Sequence, residues 1–319
     1  MDHFKSIVGK SPAVDALIRS ARIVAATDVT LLLNGETGTG KEILANAIQK
    51  SSPRANKPYI TLNCAALPES LIESELFGHR KGSFTGATGN TQGLFQAAHG
   101  GTLFLDEINS LPVSIQAKLL RFIESGECLA VGDIEPYTVD VRIIAATNSD
   151  LNQQIADGSF RRDLFYRLNV VPLNLPALNQ RMGDIELLVK HFMKLFEFEH
   201  GMQAPEFSYK ALNALKAYSW PGNIRELRNL CERLCILLAG KTIELENLPA
   251  EFNKDTPNFT TLAQFTLPPT GVDLDNLEAS LIKQALDMAN GNRSKSARLL
   301  GLSRDTLLYR MQKHGFAGN

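Results

Sequence analysis

The segment that most constrains this chain runs from an apolar stretch, Val29-Thr30-Leu31-Leu32-Leu33, through Gly35-Glu36-Thr37-Gly38-Thr39-Gly40-Lys41, into Ile43-Leu44-Ala45-Asn46-Ala47-Ile48. It reads as a strand, a glycine-rich turn and a helix, the context that a phosphate-binding loop requires. Gly35, Gly38 and Gly40 allow the backbone to curl, so that the amides of the loop, Glu36, Thr37 and Thr39 included, face a polyphosphate. The helix N-terminus adds its positive dipole end. Lys41 would reach the terminal phosphates as a point charge. Glu42 follows where the common pattern places a Ser or Thr hydroxyl for magnesium, so the metal must be held mainly by other groups.

Those groups lie downstream. Thr102-Leu103-Phe104-Leu105 ends in Asp106-Glu107 and reads as a buried parallel strand carrying two carboxylates to its C-terminal edge. Ligands of open α/β sheets bind at that edge. Asp106 would hold Mg2+, through water, and Glu107 would orient and deprotonate an attacking water. An acidic pair at a strand end is common by itself; joined to the phosphate loop it predicts a nucleoside triphosphatase.

At 319 residues the chain has room for about two domains. Its 44% apolar and 21% charged residues match a soluble globular protein with a sizeable core. No apolar run approaches the roughly 20 residues that span a bilayer, and Met1-Asp2-His3-Phe4-Lys5 has no signal-peptide pattern, so a cytoplasmic protein without a membrane partner is expected. Cys64, Cys128, Cys231 and Cys235 form no Cys-x-x-Cys pair; Cys231 and Cys235, one helical turn apart, read as small core residues. The net charge of −1 hides an uneven distribution. From Gly291 onward, Arg293, Lys295, Arg298, Arg304, Arg310 and Lys313 face only Asp305, leaving a side-chain charge of +5. That pattern predicts a nucleic-acid contact confined to the C-terminal end.

Residues 1–175 alternate strand-like and helix-like segments, as in an α/β domain with a parallel sheet and flanking helices. Further strands are expected at Tyr59–Leu62 and Val141–Ala146, and helices at Val14–Ala26, Pro68–Leu76 and Pro112–Glu124. Residues 176–250 turn all-helical, with Gly183–Phe198, Tyr209–Tyr218 and Asn223–Leu238 forming a lid over the nucleotide site. Residues 251–272, with Pro257, Pro268, Pro269 and Gly271, read as a linker. In 273–319 an amphipathic helix, Leu274–Met288, precedes two short basic helices around Gly301-Leu302, the second capped by Ser303; this is a helix-turn-helix.

These motifs together resemble the bacterial enhancer-binding proteins, the AAA+ activators of sigma-54 RNA polymerase, over essentially the whole chain. The decisive segment is Glu75-Leu76-Phe77-Gly78-His79-Arg80-Lys81-Gly82-Ser83-Phe84-Thr85-Gly86-Ala87, similar to the family's Gly-Ala-Phe-Thr-Gly-Ala loop that touches the sigma factor. The resemblance assigns residues 82–87, namely Gly82, Ser83, Phe84, Thr85, Gly86 and Ala87, to that contact. Glycines on both sides of Phe84-Thr85 predict a mobile loop with an exposed aromatic tip. Ser83 departs from the usual Ala. Asn63 resembles the switch asparagine that holds the catalytic glutamate away from water, or else it caps a turn. Asn148, in Ala146-Thr147-Asn148, is similar to the first sensor of the terminal phosphate. Phe160–Val170 resembles the arginine-finger region, with Arg161 and Arg167 at the two matching positions and Arg162 where the family often has an acid. Trp220-Pro221-Gly222-Asn223-Ile224-Arg225-Glu226-Leu227 resembles the second sensor, with Arg225 reaching the phosphates; Asn223 could also cap its helix. The resemblance implies ATP as the nucleotide, with the base near Ile7 and Val8.

The tail resembles the family's Fis-type helix-turn-helix, whose last helix enters the major groove of double-stranded DNA upstream of promoters. Ser303, Arg304, Thr306 and Arg310 would then lie near bases or phosphates. The expected function is an ATP-hydrolysing activator that works as a ring, a hexamer in the family, and remodels the closed complex of sigma-54 RNA polymerase holoenzyme. The short segment before the phosphate loop leaves no room for a receiver domain, so control is expected from a removed N-terminal domain or a separate regulatory protein. A DNA-binding regulator with a non-remodelling nucleotide site is the alternative from another class. An unfoldase or helicase loader accounts less well for the Phe84 loop together with the tail.

Overall fold

The computed structural model describes residues 2–84, 87–252, 273–289 and 291–316. The expected linker and the tip residues Thr85 and Gly86 lie outside the described residues, apart from Glu251 and Phe252. The chain divides into two compact units, Met1–Thr256 and Pro257–Asn319.

The first unit is built on a five-stranded parallel sheet of β1 (Leu31–Asn34), β2 (Tyr59–Asn63), β3 (Thr102–Asp106), β4 (Arg142–Thr147) and β5 (Val171–Asn174), in the order β2-β3-β4-β1-β5. Central strands of such a sheet are covered on both faces, which explains why β1, β3 and β4 are apolar runs without alternation. β5 was not legible in advance. It carries Pro172, which a sheet accepts at an edge, where an amide has no ladder partner to lose. Around the sheet lie α1 (Pro12–Ala25), α2 (Lys41–Lys50), α3 (Glu69–Phe77), α4 (Val113–Ser125) and the short α5 (Arg162–Leu168). Arg142, buried in β4, donates to the carbonyls of Val24 and Ala25 and so satisfies the C-terminal end of α1. Two short hairpins stand beside the sheet: Gly78–His79 with Thr91–Gln92, and Glu127–Cys128 with Tyr137–Thr138.

The same unit continues into a lid of α6 (Ile185–His200), α7 (Tyr209–Ala217) and α8 (Asn223–Leu237), with its own apolar core around Phe196, Leu215, Trp220 and Leu227. Cys231 and Cys235 are free and buried in it; burial pushes the Cys231 thiol up to about 12, so the pair is core packing. The second unit is α9 (Leu274–Met288), α10 (Arg293–Leu299) and α11 (Arg304–Lys313), packed through Ile282, Ala297, Leu307 and Met311. No described helix is long and apolar enough to cross a membrane.

Candidate functional site

The β1–α2 turn is a cradle. Gly40 takes φ +99° and begins α2, whose first residue, Lys41, is buried. Lys41 Nζ donates to the carbonyls of Gly35 at 2.7 Å and Glu36 at 3.1 Å, which holds the cation at the centre of the loop. Burial lowers its pKa, the charges of Asp106 and Glu107 raise it, and Arg225 lowers it, so sheet and lid both reach this ammonium. Among the described residues the amides of Gly38 and Gly40 have no partner within the chain. Free amides, a helix N-terminus and a central cation fit a polyphosphate.

At the end of β3, Asp106 Oδ1 accepts from the Glu107 amide at 3.0 Å. Glu107 itself sits at φ 52°, a left-handed conformation that non-glycine residues seldom adopt and that marks strain at sites of function. Asn148, past the end of β4, donates from Nδ2 to Thr37 Oγ1 at 3.1 Å. Glu42 is exposed in the first turn of α2, and its charge with that of Asp106 helps raise the pKa of the half-buried Tyr59, whose main cause is burial.

The lid is seated on this loop. Ile224 and Arg225 donate their amides to the Gly38 carbonyl at 3.0 and 3.3 Å, so a phosphate-loop carbonyl serves the N-terminus of α8. A Cβ at Gly38 would stand 2.4 Å from the Gly222 carbonyl, which requires glycine there. Asn223, fully buried at φ 52°, accepts from the Leu178 amide at 2.7 Å and donates to Glu36 Oε2 at 2.9 Å and to the Thr37 carbonyl at 3.1 Å. It does not cap its own helix, as one reading of the sequence had it, because its side chain is spent on the loop beneath. Beside the loop an apolar pocket brings Ile7 and Val8 together with Ile43, Leu175, Phe192 and Ile224. Its N-terminal wall is clamped by a buried pair: Arg181 donates to the Val8 carbonyl at 2.7 Å, while Asp184 accepts from the amides of Lys10 and Ser11 at 2.7 and 3.0 Å.

Three expected site residues do not join this cluster. Asn63 stands opposite Asp106 in the β2–β3 register, but its Oδ1 accepts from the Ala65 amide at 2.9 Å, the turn-capping geometry, and makes no bond to Glu107. Arg161 pairs with Asp163 at 2.6 Å, holding that carboxyl below its usual range. Arg167 pairs with Glu124 at 3.2 Å and is largely exposed. Neither arginine bonds to the phosphate loop or the acidic pair of its own chain.

The described ends of the Gly82–Ala87 loop are tied to each other. Gly82 donates to the Ala87 carbonyl at 2.9 Å and Ala87 to that of Phe84 at 3.0 Å. Phe84 is exposed, at 37%, as the sequence predicts, and its ring lies edge-on against His79 with centroids 5.0 Å apart. Ser83 turns inward: its hydroxyl is buried without a partner, and a Cβ on Gly132 would stand 2.6 Å from its own. Arg80 pairs with Asp133 at 2.6 Å, joining the loop's base to the second hairpin.

In the second unit, Ser303 caps α11 by accepting from the Thr306 amide at 3.1 Å, and the two hydroxyls bond at 2.7 Å. Arg304 is exposed at the start of α11. Arg310, expected near DNA, pairs through its guanidinium with Glu278 of α9, which also holds His314. Lys313 pairs with Asp275 at 2.5 Å. Two of the tail's cations therefore serve the packing of α11 on α9.

The family described as Sigma-54 interaction domain matches residues 7–174, the AAA+ ATPase lid domain residues 179–264, and the Fis family of bacterial regulatory proteins residues 273–314. The chain belongs to the sigma-54 activators of the NtrC type. Regulatory protein AtoC of Escherichia coli (strain K12) is 44% identical over 314 residues, which cover 97% of this chain and 68% of AtoC. NtrC of Salmonella typhimurium (strain LT2) is 41% identical over 328 residues, 97% of this chain and 70% of that protein. Crystal structures of NtrX from Brucella abortus, solved with ADP and with ATP, superpose with a TM-score of 0.72 at 34% identity, covering 97% of this chain and 69% of NtrX.

As a sigma-54 activator the chain carries an AAA+ ATPase domain with its lid and a Fis-type helix-turn-helix, with sigma-54 and DNA as partners. Sequence reasoning missed the Glu36–Asn223 contact, the Thr37–Asn148 contact and the Arg181–Asp184 clamp. Each joins segments that only folding brings together, apart from Arg181–Asp184, whose spacing is local but whose targets are Val8, Lys10 and Ser11.

Proposed function

We propose that this sigma-54 activator hydrolyses ATP between the subunits of a homo-oligomeric ring, a hexamer, and uses each turnover to drive the Phe84–Thr85 loops against the closed complex of sigma-54 RNA polymerase held near upstream DNA. The supporting observation is a division in the structure. Phosphate loop, Lys41, Asp106-Glu107, Asn148 and Arg225 converge in one cleft, while Arg161 and Arg167 face outward with only local carboxylates as partners. A site that lacks its own arginine finger is completed by a neighbour's.

In this reading the free amides of Gly38 and Gly40, the N-terminus of α2 and Lys41 bind the phosphates, the Ile7–Val8 pocket takes the base, and Arg225 and Asn148 face the terminal phosphate. ATP as the occupant is supported by the ATP complex of NtrX. Asp106 would hold magnesium through water; when bound, that ion neutralises charge on the phosphate oxygens. Glu107 takes the proton of the attacking water. Asn63 would have to leave the Ala65 amide to reach Glu107, which makes the switch a movement of the β2 end. Ser303, Arg304 and Thr306 lie at the end of α11 expected to face the groove.

The deciding experiment is open-complex formation by purified sigma-54 polymerase with this protein and ATP. Promoter opening that requires hydrolysis supports the reading. Activation that persists with Glu107→Gln, or DNA occupancy without opening, would favour a regulator with a non-remodelling nucleotide site.

A further inference from the structure

α4 connects the acidic pair to the outward-facing arginines, and one side chain makes the connection. Gln116, in the second turn of α4, is fully buried. Its Nε2 donates to the Leu111 carbonyl at 2.8 Å and to the Ser159 carbonyl at 2.9 Å, and its Oε1 accepts from the Arg161 amide at 2.8 Å. Leu111 closes the short turn Ile108–Ser110 that begins directly after Glu107. Arg161 is the residue on which α5 begins, and its own side chain does not cap that helix. The opposite end of α5 meets α4 again, where Arg167 reaches Glu124.

We infer that Gln116 is a positioning residue for the arginine fingers: its amide fixes the start of α5 against the segment that follows Glu107, and so sets where Arg161 and Arg167 stand for the neighbouring subunit. The inference rests on the reading of those arginines as fingers that act on a neighbour. The residue type follows from the three partners. Two carbonyls and one amide, all backbone and all meeting one buried side chain, need two donors and one acceptor on a side chain of this length. Glutamate keeps the acceptor for Arg161 but turns an anion toward two carbonyl oxygens. Methionine fills the space and leaves all three groups unpaired. Displacing the fingers by a fraction of an ångström is enough to slow phosphoryl transfer, since transfer depends on placement.

The test sorts Gln116 by subunit complementation. Gln116→Met is expected to hydrolyse ATP about ten- to a hundredfold more slowly, with nucleotide affinity unchanged, and Gln116→Glu to fall between it and the parent. Rings mixed from Arg167→Ala and Glu107→Gln subunits serve as the control, and should regain activity because intact fingers meet intact acidic pairs. Gln116→Met mixed with Glu107→Gln should also regain activity, whereas Gln116→Met mixed with Arg167→Ala should not, both members lacking a competent finger. Rescue by Arg167→Ala would place the defect in the variant's own nucleotide site and overturn the inference. So would unaltered hydrolysis, a loss of nucleotide affinity that accounts for the defect, or no rescue by either partner while the control recovers. Circular dichroism and ring formation of both variants exclude misfolding as the cause; if Gln116→Met does not fold, Gln116→Glu is carried through the same mixtures. Failure of the control, with mixed rings shown to form, would overturn the finger reading itself and this inference with it.

Discussion

Glu107 and Ser83 show how single residues carry cost in this protein. Glu107 holds a left-handed backbone beside Asp106, a conformation worth about 1–3 kcal/mol of strain that persists because the turn into Ile108–Ser110 demands it. A carboxylate aimed by such a turn is suited to act as a base. Glu107→Gln keeps the shape and removes the base, so turnover should fall about 10²–10⁴-fold while nucleotide binding stays near the parent value. Isothermal titration and a phosphate-release assay separate the two. Ser83 bears a hydroxyl enclosed against Gly132 with nothing to bond. Ser83→Ala removes that unpaired group and should stabilise the first unit by about 1 kcal/mol, read as a rise in melting temperature, with sigma-54 binding retained.

At the scale of elements, α8 and the phosphate loop behave as one piece, since Gly38 serves the helix N-terminus and Asn223 bonds Glu36 and Thr37. Asn223→Ala leaves the buried Leu178 amide unpaired and retains a strained φ, and should destabilise the unit by about 2–4 kcal/mol. Asn223→Gly suits that φ and should cost less; an equal loss in both variants would mean that backbone strain contributes nothing here. The Phe84 loop is a second such element, joined to the neighbouring hairpin through Arg80–Asp133 and resting on His79. Phe84→Ala leaves the phosphate cleft untouched, so hydrolysis should survive within about twofold while sigma-54 engagement and promoter opening are lost. Binding to sigma-54 in the presence of a transition-state analogue of the terminal phosphate checks this, and full promoter opening by the variant would refute the assignment.

For the whole molecule, the proposed function divides the work between the basic tail, which contacts DNA, and the ATPase unit, which acts on polymerase. DNA binding by the intact protein should weaken steeply with salt, as lysines and arginines displace counterions from phosphates. Arg304 stands exposed at the start of the helix assigned to the groove, so Arg304→Ala should cost about 1–3 kcal/mol at the cognate site and relax sequence preference. Arg310 is engaged with Glu278, so Arg310→Ala should lower the thermal stability of the second unit more than its sequence preference. Competition binding with variant sites and thermal unfolding distinguish these two arginines. A uniform weakening across all sequences by Arg304→Ala would make it a phosphate contact.

What the sequence by itself determined is the chemistry that short segments encode. The strand, glycine turn and helix around Lys41, the acids ending Thr102–Asp106, the cap at Ser303 and the apolar periodicity of the lid helices all depend on neighbours within a few residues, and backbone conformation there is dictated locally. β5 escaped notice because a four-residue strand with a proline has no periodicity of its own and exists only through its pairing with β1. The structure alone decided which side chains meet. Asn223 was legible as a helix cap, yet packing the lid on the sheet sets it against Glu36, 187 residues away in sequence. Arg310 was legible as a DNA ligand, yet folding α11 across α9 sets it against Glu278. Asn63 was legible either as a switch or as a turn cap, and the turn holds it here. Propensity and turn chemistry act over a few bonds, whereas a hydrogen bond between distant segments depends on the register and packing of every element that separates them, and that information is present only in the folded chain.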